Sequence, residues 1–134
     1  MKKHLLATVA LLMAISPVAA EARCVPNTPV IAAKAVPVIQ YKNTTIDGVK
    51  VFYREAGPKD APVLLLLHGF PTSSHMFRNL IPLLADRYRV IAPDYPGYGQ
   101  SDAPDHTKFS YTFENLTNVV DKLTEKVGAD RYSM

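Results

Sequence analysis

The chain has 134 residues, enough for one small domain, with 48% hydrophobic and 20% charged residues and a formal net charge of +3. Its 15 basic residues form no cluster, which argues against nucleic acid or an anionic membrane as a partner. A single cysteine, Cys24, excludes an intramolecular disulfide and leaves a free thiol or an intermolecular pair.

Met1-Lys2-Lys3-His4 is a short basic start, and Leu5 to Ile15 is an apolar run too short to span a bilayer. Ser16 and Pro17 break the run. Val18-Ala19-Ala20 and Ala20-Glu21-Ala22 then offer two cleavage sites. This is the pattern of a secretory signal peptide rather than of a short buried helix or an uncleaved anchor. It predicts a secreted or periplasmic protein, cleaved near Ala20 or Ala22 and not held by a membrane afterwards. Arg23 stands where lipid attachment to Cys24 would need a small residue. Cleavage after Ala22 removes two of 15 basic and one of 12 acidic residues, leaving 13 and 11. The expected organisation is a leader over 1–22, an extended arm over 23–37 carrying Pro26, Pro29 and Pro37, and a folded domain over 38–134.

Val38 to Ile46 and Val49 to Glu55 are β-rich runs around Asp47-Gly48, a pair suited to a two-residue hairpin turn because both positions need positive φ. Val63 to Leu67 is apolar without alternation, which predicts a parallel strand buried on both faces. Ser73 or Ser74 can cap a helix carrying Met76, Phe77, Leu80, Ile81, Leu83 and Leu84, with a kink or split at Pro82. Tyr88 to Ala92 reads as a second buried strand and Asp94 to Pro104 as a loop. Thr112 can cap a helix with the apolar stripe Phe113, Leu116, Val119, Val120, Leu123 and Val127, stopped at Gly128. Arg131 to Met134 reads as the start of another strand. Hairpin, strand, helix, strand, helix and strand in this order predict an α/β sheet with right-handed crossovers.

Two motifs carry chemistry. His68-Gly69-Phe70-Pro71 follows the first buried strand, and Asp94-Tyr95-Pro96-Gly97-Tyr98-Gly99-Gln100-Ser101-Asp102-Ala103-Pro104 follows the second. Ligands bind at the carboxyl edge of such sheets. Gly69, lacking a side chain, would let the chain turn sharply there and leave the Phe70 N–H free. Asp94 suits a residue that accepts N–H bonds within its own loop, with Gly97 and Gly99 permitting the reversals. His68, His75 and His106 show no metal-ligand spacing, so neither metal nor cofactor is implied.

The two motifs, in this order after a hairpin, resemble the N-terminal part of the α/β-hydrolase family over residues 38–134. The resemblance implies that the Phe70 N–H supplies one oxyanion-hole donor, the other coming from the residue after the nucleophile. It implies that His68 braces the loop rather than acting as catalytic base, and that Pro71 stiffens the loop and follows a bond often cis in relatives. Asp94 and Ser101 as nucleophiles are disfavoured, because neither sits in a strand-to-helix elbow. No G-x-S-x-G occurs in the 134 residues. In the family that elbow follows the strand expected near Arg131, and the catalytic acid and histidine lie later still. The chain is therefore expected to be a partial domain, inactive by itself, with no nucleophile. Its Leu64 to Leu67 strand would lose one whole edge partner and become aggregation-prone.

Phe70 together with Gly-Tyr-Gly-x-Ser-Asp-x-Pro is similar to epoxide hydrolases and haloalkane dehalogenases. These act on small-molecule substrates through an aspartate nucleophile and an alkyl-enzyme ester that water cleaves. Many dehalogenases have Asn in place of Phe70, which favours the epoxide-hydrolase side. A serine esterase or lipase-like member, a non-haem peroxidase relative, or a non-catalytic small α/β binding protein are the alternatives.

Overall fold

A computed structural model describes residues 37–134. The leader, Cys24 and all of the expected arm but Pro37 lie outside the described residues. Two antiparallel strands, β1 (Gln40–Ile46) and β2 (Val49–Ala56), form the opening hairpin, with Ile46 opposite Val49. Asp47 and Gly48 between them take φ of 47° and 83°, as a two-residue turn with both central residues left-handed requires. β3 (Val63–Leu65), β4 (Arg89–Pro93) and β5 (Tyr132–Ser133) complete a five-stranded sheet in the order β1-β2-β4-β3-β5. β2 pairs antiparallel with β4, while β4, β3 and β5 run parallel. The architecture is the predicted α/β sheet.

Alternate residues of the sheet feed two cores. Val51, Tyr53, Leu65 and Ile91 face helix α2 (Phe113–Lys126), which contributes Val119, Val120 and Leu123. Ala56, Val90 and Ala92 face the other way, against Ile81 and Ala85 at the short helix α1 (Ile81–Leu84). Period-two side-chain alternation puts a layer on each face of the central strands.

Four expectations need correction. The helix expected after Ser73 is split, as Pro82 led one to expect, into a 3-10 turn over Ser74–Phe77 capped by Ser73 and α1, where Pro82 sits in the first turn; what differs is its apolar stripe, half of which is exposed. Proline has no N–H to give an interior helix bond, so it begins a helix here rather than kinking one. Because the pieces are short, Met76, Leu80 and Leu83 point to solvent. β3 ends at Leu65, although the Leu66 N–H still donates to the Ile91 carbonyl at 2.9 Å, and only Leu65 of this run is fully buried. Phe113, the first residue of α2, does not join the core stripe and is 92% exposed, while the helix reaches the core further along at Val119, Val120 and Leu123. The β3 edge is not wholly open: β5 pairs with Val63 and Leu64.

Helix α2 shows how a single polar residue sets an element's start. The Thr112 hydroxyl accepts the Asn115 N–H at 3.2 Å from an extended backbone, and Gly128 follows the helix at φ 66°. Thr112→Ala is expected to lower the urea-unfolding free energy by about 1 kcal/mol, read as a smaller midpoint with unchanged slope. A midpoint shift near zero would show that the cap contributes nothing.

Candidate functional site

The carboxyl ends of β3 and β4 release two loops that are bound to each other. From β3 the chain passes through Leu66 and Leu67 to His68, which is buried. The Tyr95 N–H, just past β4, donates to His68 Nε2 at 3.2 Å. Since Nε2 accepts, the imidazole carries its proton on Nδ1, which lies 3.0 Å from the Gly69 carbonyl and donates to it. The ring is also packed edge-on to Tyr95 and Tyr98, at centroid distances of 4.8 and 5.4 Å. His68 thus joins one loop to the other, with both ring nitrogens engaged.

The Gly69 carbonyl then accepts from the Thr72 N–H at 3.0 Å and the Thr72 hydroxyl at 2.7 Å, closing a four-residue turn. The Phe70–Pro71 peptide at its centre is cis, the arrangement of a type VI turn. This corrects the role expected for Gly69. Its φ lies outside the left-handed region, and a Cβ built on it would meet nothing within 4 Å. The reversal is made by residues 70 and 71 and held by Thr72, so it does not call on the freedom of glycine. Phe70 itself is 85% exposed, and its N–H has no acceptor among the described residues.

Asp94, at the end of β4, is buried and accepts from two segments. Its Oδ1 receives the Ser74 N–H at 2.6 Å and its Oδ2 the Gln100 N–H at 2.9 Å. It therefore braces both loops, where only bonds within its own loop were expected. Gly99, at φ 56°, passes so close that a Cβ there would lie 2.0 Å from Asp94 Oδ2. Gly97 is left-handed at φ 87° beside the Tyr111 ring. The Ser101 hydroxyl donates to the Asp94 carbonyl at 2.6 Å and accepts the Phe52 N–H at 2.9 Å, which commits it to holding the loop against β2.

Between these loops and the start of α2 lies a pocket of about 170 Å³, lined by His68, Gly69, Phe70, Tyr95, Tyr98 and Phe113 among others. Its wall is largely aromatic. Burial pushes the Tyr95 phenol above its ordinary value of 10.0, so it keeps its proton at neutral pH. Tyr95, Tyr98 and Phe113 were not singled out from sequence as site residues. Two of them stand inside the Asp94–Pro104 motif, which is the signal that could have drawn attention to them. His68, Phe70, Asp94, Gly97 and Gly99 are brought together around this pocket and its supporting loops; His75 and His106 are not part of its lining. Among the described residues, no group of three or more His, Cys, Asp or Glu is placed to hold a metal, and no helix is long and apolar enough to cross a membrane.

A mixed sheet packed on both faces, with an aromatic pocket and a free backbone N–H at the carboxyl edge of its parallel strands, fits the α/β class of ligand-binding or catalytic domain. Residues 62–133 match the family model described as alpha/beta hydrolase fold, and the chain belongs to that family. It is 52% identical over 88 residues to an uncharacterized hydrolase of Saccharomyces cerevisiae, covering 66% of this chain and 30% of that protein. It is 42% identical over 90 residues to a haloalkane dehalogenase of Bradyrhizobium diazoefficiens, covering 67% and 28%. Among solved structures it is similar to epoxide hydrolase A from Mycobacterium thermoresistibile, with a TM-score of 0.66, 34% identity, and coverage of 72% of this chain and 30% of that one. The chain thus spans about three tenths of the length of these relatives.

Proposed function

We propose that the protein serves hydrolysis of a small molecule, of the epoxide-hydrolase or dehalogenase kind, and that the Phe70 N–H is an oxyanion-hole donor. The observation carrying this reading is that an N–H without an acceptor stands on the wall of an aromatic pocket at the sheet's carboxyl edge. A donor so placed costs nothing to reorganise when negative charge develops on a substrate oxygen, and one such donor is worth roughly 10²–10³ in turnover. The bonds from Tyr95 to His68 and from Thr72 to Gly69 hold the peptide in place. Because both ring nitrogens of His68 are engaged with the backbone, it fits a bracing role rather than that of a base. Phe70, where many dehalogenases carry Asn, favours the epoxide side. Export by a cleaved leader belongs to the same reading, supported by the residue pattern of positions 1–22.

One donor and no nucleophile elbow should not suffice. The 134-residue chain is expected to leave an aryl ester, an aryl epoxide and a bromoalkane at the buffer rate of hydrolysis. Reading the gene past codon 134 tests the rest: an in-frame elbow with aspartate supports the epoxide or haloalkane reading, and one with serine supports an esterase. In a product carrying such an elbow, Phe70→Pro removes the N–H and is expected to lower kcat by about 10²–10³. Equal kcat with an unchanged urea midpoint would remove Phe70 from the mechanism.

A further inference from the structure

A second groove, of about 360 Å³, lies on the β1–β2 surface near the amino end of β4 and the carboxyl end of α2, and shares no residue with the aromatic pocket. Four cations line it, Lys42, Lys59, Arg89 and Lys126, with Glu55 as the one carboxylate. Two of the cations are satisfied. Glu55 is paired with both Lys42 and Arg89, and Arg89 further donates to the Val127 and Gly128 carbonyls. The other two are not offset by any acid on the groove. Lys126 Nζ donates only to the neutral Thr45 carbonyl, at 2.8 Å, and Lys59 has no partner among the described residues.

The groove also contains a polar group that the fold itself does not use. Tyr53 is 7% exposed, and its hydroxyl has no hydrogen-bond partner among the described residues although it lines the groove. Among the described residues no buried side-chain polar atom lacks a partner, so the Tyr53 hydroxyl, on an otherwise buried ring, is the part that opens to the groove and to any ligand in it. Burial first, and then the Glu55 carboxylate, push this phenol above its ordinary value, so it offers a proton to a ligand. A hydroxyl donor and two uncompensated ammonium groups suit a doubly negative, tetrahedral oxyanion, which accepts from several directions at once.

We infer that the groove between Tyr53, Lys59 and Lys126 binds a phosphate group, either free phosphate and its small monoesters or a phospholipid headgroup. Two lysines without a carboxylate partner, Lys59 and Lys126, match the charge of a phosphate dianion, and Tyr53 supplies a directional donor. The proposal is independent of hydrolysis at the other pocket.

Calorimetric titration with inorganic phosphate and with glycerol 3-phosphate, at ionic strength held constant with chloride, tests it. Saturable binding is expected, weakened about tenfold by Tyr53→Phe, the worth of one hydrogen bond to a charged group. Lys59→Met should weaken it several-fold, and Lys59→Met with Lys126→Met should abolish it. Tyr53→Phe and Lys59→Met remove groups with no bond in the fold, so their urea midpoints should not fall. Binding to vesicles of phosphatidylcholine doped with phosphatidic acid, without binding of glycerol 3-phosphate, would assign the phosphate to a lipid. Heats that do not saturate, or affinity unchanged by Tyr53→Phe and Lys59→Met at unchanged midpoints, would overturn the site.

Discussion

Asp94→Ala is expected to lower the unfolding free energy by about 3–5 kcal/mol, on the order of two hydrogen bonds to a charged acceptor. The cost is this large because the carboxylate is buried and each oxygen serves a different segment. Oδ1 takes the Ser74 N–H at the 3-10 turn, and Oδ2 takes the Gln100 N–H in the loop after β4. Alanine leaves the buried Ser74 N–H and the part-buried Gln100 N–H without their acceptor, and the first of these has no water to turn to. Asparagine is not a rescue. Its amide keeps one oxygen and turns a donor towards the second N–H, so Asp94→Asn should recover no more than about half of the loss. Gly99 gives an internal check. Its Cβ would sit 2.0 Å from Asp94 Oδ2, and its φ of 56° disfavours any side chain. Gly99→Ala should therefore cost more in the parent than beside Asp94→Ala, where the clash with the carboxylate is gone and what remains is the 2.8 Å approach to Ser73 Cβ and a backbone term of about 1–2 kcal/mol. Chemical unfolding of the two single variants and the double variant measures the coupling. Additive losses would mean that the carboxylate and the glycine do not share one constraint.

Asp94 also marks the boundary of what sequence made legible. The sheet, its hairpin and the order of its elements followed from local rules: turn chemistry at Asp47-Gly48, an apolar run without alternation at 63–67, and the Thr112 and Gly128 signals around α2. Those rules use neighbours in the chain. The contacts that assemble the site do not. His68 meets Tyr95, and Asp94 meets Ser74, only because parallel β3 and β4 bring their carboxyl ends side by side. Two motifs at the ends of adjacent strands could be paired from sequence by resemblance, whereas the atoms joining them could not. Gly69 was misread for the opposite reason. A glycine next to a reversal suggests special φ, yet the turn is closed by Thr72 on the Gly69 carbonyl. Length set another limit. Helical spacing from Met76 to Leu84 is real, but Pro82 divides it into pieces too short to keep every apolar residue inside.

Glu55 and Arg89 lay wholly outside the motifs, and there the second large effect is expected. Both are buried, and Arg89 Nε donates to Glu55 Oε1 at 2.6 Å. Arg89 also donates to the Val127 and Gly128 carbonyls at 2.8 and 3.1 Å, so it ties β2, β4 and the end of α2 together. A cation at a helix carboxyl end is favoured by the helix dipole as well. Arg89→Met should cost about 3–5 kcal/mol, the loss typical of breaking a buried ion pair from one side. Burial by itself would raise the Glu55 carboxyl, but hydrogen bonds from Lys42 and Arg89 and the charge of both hold it below its ordinary value of 4.5. The folded protein therefore binds this proton more weakly than the unfolded chain does. The resulting stability is fully present above the ordinary carboxyl range and is lost as pH falls through the folded value. Glu55→Gln keeps the shape and cannot titrate. Its deficit against the parent should be largest at pH 7 and should shrink as pH falls below about 4.5, because the parent then loses the charge that the variant never had. Titration of the other carboxyls acts on both proteins and drops out of the difference. Urea unfolding at pH 7, 5 and 3 reads it directly. A deficit that stays constant across the three, or widens towards pH 3, would show that the Glu55 charge is not what Arg89 and Lys42 stabilise.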